Sequence, residues 1–215
     1  VSYLVERREE EKERRRLEII EAAERIYGEK GWDLLTMDQV ARAARLSRTL
    51  VYVYFQDKDD LLLAIAGRGI ERLAERFRQA AEGSGSGLDK IEAMGRAYIA
   101  FGTEFPHYFD AETRFQAGHK LGEDRPCEAA CAEAADKVHN VLVETLRLGM
   151  ADGSVRSGVG DPDIVSVALW AFSHGLVQIV TAKGEALAAR GLSAEQLTEE
   201  SIRMIQDMLA ARPTG

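Results

Sequence analysis

The chain has 215 residues, 46% of them apolar and 30% charged, which is enough apolar material for a core and room for a small domain joined to a larger one. That composition excludes a disordered chain, a collagen-like chain and a disulfide-built miniprotein. The formal net charge of -8, from 28 Lys and Arg against 36 Asp and Glu, gives no general attraction for polyanions.

Only four prolines interrupt the chain, so long helices are expected and the predicted fold class is all-α. Residues 6–18 carry 12 charges of mixed sign in 13 positions, the pattern of a solvated helical extension or a frayed arm. A first packed helix is predicted from Leu17, with Ile19, Ile20, Ala22, Ala23, Ile26 and Tyr27 as its apolar stripe and Gly31 as its stop. Thr36 and Gln39 have the spacing of a capping box that opens a short second helix reaching about Ala44. Ser47 caps a short third helix in which Leu50, Val51 and Phe55 face inward, leaving Arg48, Thr49, Tyr52 and Tyr54 for display. Asp57 and Asp60 repeat the cap-and-box spacing before a fourth helix, which runs to the Gly-Ser alternation of residues 83–87, read as a linker.

Beyond it, helices are predicted over Leu88 to Phe105, His107 to about His119 and Cys127 to Met150. Asp161 followed by Pro162 starts another that reaches about Lys183, and Ser193 with Gln196 starts a last one, stopped before Pro213. The sum is about nine helices, divided into an amino-terminal domain over 14–63 and a helical bundle over 64–211. Cys127 and Cys131 share a helix face but lack zinc-site spacing, so they are expected as buried free thiols. No cofactor or metal set is apparent. The uncharged run from Ile164 to Ala182 contains Ser166, Ser173, His174, Gln178 and Thr181, which favours a buried or interface helix over a membrane span. The charged opening, without a basic leader and apolar core, leads us to expect a cytoplasmic protein.

Two short helices joined by a tight turn after a longer one form the helix-turn-helix shape, whose last helix fits a major groove. The acidic balance also reverses there: between Thr36 and Lys58, Arg42, Arg45, Arg48 and Lys58 outnumber Asp38 and Asp57. The run TMDQVARAARLSRTLVYVYFQDKDDL, Thr36 to Leu61, resembles the DNA-binding signature of the tetracycline-repressor-like (TetR) family. Ser47, Tyr52, Tyr54, Phe55, Lys58 and Leu61 coincide with the family pattern, as do Gly31, Thr36, Val40, Ala41 and Ala44. The family commonly has glycine where this chain has Arg45 and Thr49; each replacement adds a hydrogen-bond donor, so altered operator preference is expected rather than lost binding.

The resemblance implies an amino-terminal DNA-binding domain followed by an effector-binding and dimerisation bundle. It implies a ligand-responsive transcriptional regulator, most simply a repressor, that binds a palindromic double-stranded operator as a homodimer and is released by a small-molecule effector. Within that reading Arg48 and Thr49 approach base edges, Thr36, Tyr52, Tyr54 and Lys58 clamp phosphates around them, and Arg45 completes the DNA-binding set. Arg14, Arg15 and Arg16 either reach the DNA as a basic arm or pair with their neighbouring glutamates. An aromatic cluster with nearby histidines supplies the effector candidates: Phe101, Phe105, Tyr108, Phe115, His119, Trp170, His174 and Gln178. Val167, Ala168, Ala171, Gly175 and Ile179, with Ile202, Ile205 and Leu209 on the last helix, are the candidates for the subunit seam. Two-fold symmetry would place the reading helices roughly 34 Å apart, one DNA turn.

An enzyme is not expected, since the chain has no phosphate-binding glycine loop, metal spacing or nucleophile motif. The alternative from another class is a helical interaction module that binds protein and not DNA.

Overall fold

The computed structural model describes residues 2–116 and 126–211. Among these residues there are ten helices and no strand, one helix more than expected because a single turn, α9, interrupts the segment before the last helix. By packing, the described chain falls into two compact units that interleave in sequence. Of the described residues, one unit comprises 2–69 with 106–116 and 126–132, the other 70–105 with 133–211. This differs from the chain-order division at 63/64, because the segment after Phe105 packs with the amino-terminal helices.

In the first unit α1 (Ser2–Lys30) takes in the charged opening as helix. Exposed pairs line that stretch, Arg15 reaching Glu11 at 3.1 Å and Glu18 at 2.8 Å; water and salt screen such pairs, so each adds little to stability. Gly31, at φ 79°, ends the helix and donates to the Tyr27 carbonyl. Thr36 then caps α2 (Met37–Ala43) through the predicted reciprocal box with Gln39. Ser47 accepts from the Leu50 amide to cap α3 (Arg48–Tyr54). Asp57 and Asp60 open α4 (Lys58–Glu82), Asp57 accepting from the Asp60 amide while the Asp60 carboxylate accepts from the Gln56 amide. Ile19, Ile20 and Ala23 of α1, Val40 and Ala41 of α2, Val51, Phe55 and Leu61 make the core. The helix α6 (Pro106–Gln116) packs on α1.

In the second unit α5 (Gly87–Glu104) lies against α8 (Pro162–Ala182) and α10 (Ala194–Leu209). The remaining elements are α7 (Pro126–Asp152) and the one-turn α9 (Gly184–Ala188). The expected linker is only four residues long. Ser86 caps α5 by a box with Asp89 that the Gly-Ser reading overlooked. Gly87, read as part of the linker, is buried, and Gly149 lies inside α7. The two glycines meet where α5 and α7 cross, so closely that a Cβ on Gly87 would stand 2.3 Å from the Gly149 Cα.

We therefore expect Gly87→Ala to lose about 1–3 kcal/mol by forcing these helices apart. Gly95→Ala, on the same helix with nothing within 4 Å of the added carbon, should gain about 0.5–1 kcal/mol. Urea unfolding of both variants checks the pair; equal stabilities would refute the close crossing.

Candidate nucleic-acid interface

The reading face is set from behind. Val51 and Phe55 are fully buried, and on a seven-residue helix two such anchors leave the opposite face to solvent. Arg48, Thr49 and Tyr52 stand exposed there, with Tyr54 and Leu50 half-buried at its edges. Arg48 pairs with Asp38 of α2 at 3.2 Å and lies 5.5 Å from the Tyr52 ring centre. Its bond to Tyr52 and the Asp38 charge push its pKa further up, so the guanidinium is a permanent cation. These contacts preorganise Arg48 on the surface without burying it. Arg42 adds an exposed charge on α2.

Arg45 occupies the turn in an unusual conformation. Its amide donates to the Arg42 carbonyl and that of Leu46 to the Ala41 carbonyl, the bond pair of a Schellman turn, with Arg45 at φ 58° in the left-handed position that glycine fills without cost. Arg45 is the one non-glycine residue with positive φ among those described. Thr36 is exposed, but its hydroxyl is already employed in the α2 cap.

Lys58, expected at a phosphate, has partners within its own chain. Its ammonium donates to the Trp32 carbonyl at 2.5 Å and sits 4.6 Å from the centre of the indole ring, and the accompanying desolvation lowers its pKa. The arm arginines are likewise engaged at home: Arg14 and Arg15 pair with Glu11 and Glu18, and Arg16 lies over Phe55 at 5.6 Å. Two features of this unit escaped the sequence. Val53, one turn after Thr49, is 72% exposed on the reading face. A polar network also joins α6 to α1. Tyr27 donates to Asp110 at 2.7 Å, Tyr108 donates to Glu24 at 2.8 Å, and Arg114 reaches Asp33 at 3.2 Å. Burial and the Asp110 carboxylate push the Tyr27 pKa up, keeping its hydroxyl a donor.

The effector candidates do not form one group. Phe101, Phe105, Trp170, His174 and Gln178 belong to the second unit, whereas Tyr108 is buried in the first, its ring against Gly69 and its hydroxyl on Glu24. The Phe115 side chain and His119 lie outside the described residues. His174 is hydrogen-bonded at both nitrogens, to the Tyr98 hydroxyl at 2.9 Å and to Gln178 at 3.4 Å, with the Trp170 ring tilted against it at a centroid distance of 5.7 Å. Burial lowers the His174 pKa, which keeps the ring neutral. Phe101 and Phe105 pack together under Arg76. A surface hollow of about 490 Å³ between α5 and α10 is lined by Arg96, Gln196, Glu199, Ile202, Arg203 and Gln206, none of them an effector candidate.

The seam candidates divide by helix. On α8, Val167 and Ile179 are about half exposed, Ala168 and Ala171 are exposed and Gly175 is half-buried; Ile164 and Phe172 extend the same apolar surface. On α10 the register needs correcting. Ile202 and Leu209 are 3% and 0% exposed inside the protomer and Ile205 is half-buried, while Met204 and Met208 face out. Both faces of these helices carry apolar residues, so spacing alone did not say which one the protomer keeps. Cys127 and Cys131 are buried free thiols, and desolvation pushes Cys131 up to about 11. Among the described residues no cluster of three metal-ligating side chains occurs.

Holding a side chain in the left-handed region costs about 1 kcal/mol, so Arg45→Gly should raise the stability of the protein by about that amount. Thermal and urea unfolding check it; an unchanged or lower stability would mean that the arginine side chain stabilises the turn by other contacts.

Two family patterns match this chain: residues 19–65 fit "Bacterial regulatory proteins, tetR family", and residues 91–205 fit "Tetracyclin repressor-like, C-terminal domain". The regulator HbdR of Aromatoleum sp. is 33% identical over a match covering 41% of this chain and 38% of that protein, so that likeness spans little more than a third of the relative. The transcriptional repressor Rv1474c of Mycobacterium tuberculosis is 30% identical over 67% of this chain and 71% of its own length. Among solved structures, a TetR/AcrR-family regulator from Thermobifida fusca superposes with a TM-score of 0.70 at 24% identity, covering 90% and 97% of the two chains. AibR, solved with isovaleryl coenzyme A and operator DNA, gives 0.63 at 20% identity over 88% and 97%. FadR from Bacillus subtilis, solved with stearoyl-CoA, gives 0.68 at 15% identity over 89% and 98%. With its helix-turn-helix head matched by one pattern and more than half its length by the other, the chain belongs to the TetR family of bacterial transcriptional regulators.

Proposed function

We propose that this regulator is a repressor that binds a palindromic operator as a homodimer and is released by a small-molecule effector. The observation that carries the reading is the exposed face of α3, where Arg48, Thr49 and Tyr52 stand out from a helix anchored by Val51 and Phe55. A preorganised arginine early in a groove-entering helix donates two bonds to a guanine edge. Thr49 shares the base-reading role. Arg42, Arg45, Tyr52 and Tyr54 approach phosphates around it, and Thr36 positions α2 by its cap. Lys58, seated on Trp32, holds the start of α4 to the turn after α1, which makes it a positioning residue for the reading head.

The dimer rests on the exposed apolar surface of α8, Ile164, Val167, Ala171, Phe172 and Ile179, with Met204 and Met208 of α10. An apolar surface of this kind on a charged protein marks an association site. The 21-residue α8 is long and apolar enough to cross a membrane. Its buried face, Val165, Leu169, Ser173, His174 and Val177, packs within the protomer, so we read the other face as a subunit seam. Small residues at Ala168, Ala171 and Gly175 allow a close helix approach.

Effector control is supported by the structures of AibR and FadR, which hold acyl-coenzyme A ligands on the same fold. In this chain the polar pair Tyr98–His174, flanked by Trp170, Gln178 and Phe101, is our candidate for the group that receives an effector. Within the first unit the polar links from α6 to α1 carry any displacement of α6 to the reading head through Asp110, Tyr108 and Arg114. Action on a bacterial operator places the protein in the cytoplasm.

Selection of genomic fragments by the purified protein tests the reading. The fragments recovered should share two inverted half-sites, and Arg48→Ala, which removes the contact from both, should weaken binding by about 1–3 kcal/mol per half-site, roughly 30-fold or more for the dimer. Recovery of no preferred fragment at low salt by a folded dimer would instead favour a protein-interaction module.

A further inference from the structure

The reading face of α3 holds a residue that polar recognition leaves without a task. Val53 is 72% exposed and follows Thr49, also exposed, by one turn, so the two lie one above the other on the helix surface. Beside them Arg48 and Tyr52 form a second row, tied to each other and to Asp38. The face therefore has a polar row and a row that ends in a bare isopropyl group. An exposed valine gains nothing in water, and it offers no donor or acceptor to a base edge.

Base edges in the major groove present acceptors and donors at every base pair, with one apolar group among them, the C5-methyl of thymine. We propose that Val53 seats against a pyrimidine 5-methyl group in each operator half-site, with Thr49 completing the contact, and so makes the protein selective for thymine at one position beside the base pair read by Arg48. The inference rests on α3 entering the major groove. It adds a specificity determinant of a chemistry different from that of the arginine. Covering one methyl group removes about as much apolar surface from water as burying a methylene, equivalent to about a fourfold change in affinity.

The probe is a duplex recovered by the purified protein from a randomised pool. Each thymine is replaced in turn by deoxyuridine, which deletes the methyl group and keeps every hydrogen-bonding atom. For the full-length protein we expect binding about fourfold weaker at one symmetry-related pair of positions and near-unchanged binding elsewhere. Val53→Ala should bind the thymine and uracil duplexes alike at that pair, with an unchanged melting temperature because the side chain is exposed, and Val53→Thr, which keeps one methyl group, should retain part of the preference. Absence of any thymine-dependent position, or a Val53→Ala protein that still discriminates, would overturn the assignment. Arg48→Ala on the same duplex separates the two readings. If it loses affinity while no uracil position matters, only the Val53 contact fails; if it binds as well as the unaltered protein, α3 is not the reading helix and both fail.

Discussion

The DNA-reading surface proposed for this protein depends on the burial of two side chains, Val51 and Phe55, both at 0% exposure. A seven-residue helix is too short to be stable alone in water, so α3 exists only because this pair docks it on the core that α1 and α2 build. Docking also fixes its rotation. With Val51 and Phe55 turned inward, Thr49 and Val53 are carried to the outside along with Arg48 and Tyr52. The caps complete the arrangement: Ser47 satisfies the Leu50 amide, and the left-handed Arg45 bends the chain between α2 and α3. Removing the anchors would not weaken one contact; it would release the whole face.

Much of this was legible in the sequence because the signals are local. The boxes at Thr36–Gln39 and Ser193–Gln196, the Asp57–Asp60 pair and the Asp161–Pro162 start are interactions between residues two to four apart, and a residue string displays such spacing directly. The inward set of α3 followed from the same logic. What was missed involves long sequence separations. Nothing near Gly87 announces that Gly149 will press against it, and composition alone made a linker of a capped helix start. Lys58 was legible as a phosphate candidate from its place at a helix start, but spacing did not show that Trp32 lies beneath it. Tyr108 looked like part of one aromatic cluster with Phe101 and Phe105, yet the break at Pro106 sends it to the amino-terminal unit and to Glu24.

The α10 register illustrates a different limit. A helix that packs in its own protomer on one side and presents apolar groups on the other has no single hydrophobic stripe, so periodicity detects the helix but not its partner. Here Ile202 and Leu209 are kept inside and Met204 and Met208 are left outside. The same ambiguity holds for α8, where Leu169 and Val177 are buried while Val167 and Ile179 are not. A helix of this type also meets the length and composition of a membrane span.

The central claim is that the exposed face of α3 lies in the major groove. Methylation interference on the selected duplex measures this directly, because guanine N7 opens into the major groove and adenine N3 into the minor groove. Interference at guanine N7 in two symmetric half-sites, lost at one guanine per half-site in Arg48→Ala, is the predicted result. Interference confined to adenine N3, or a guanine pattern unchanged by the substitution, would contradict the account.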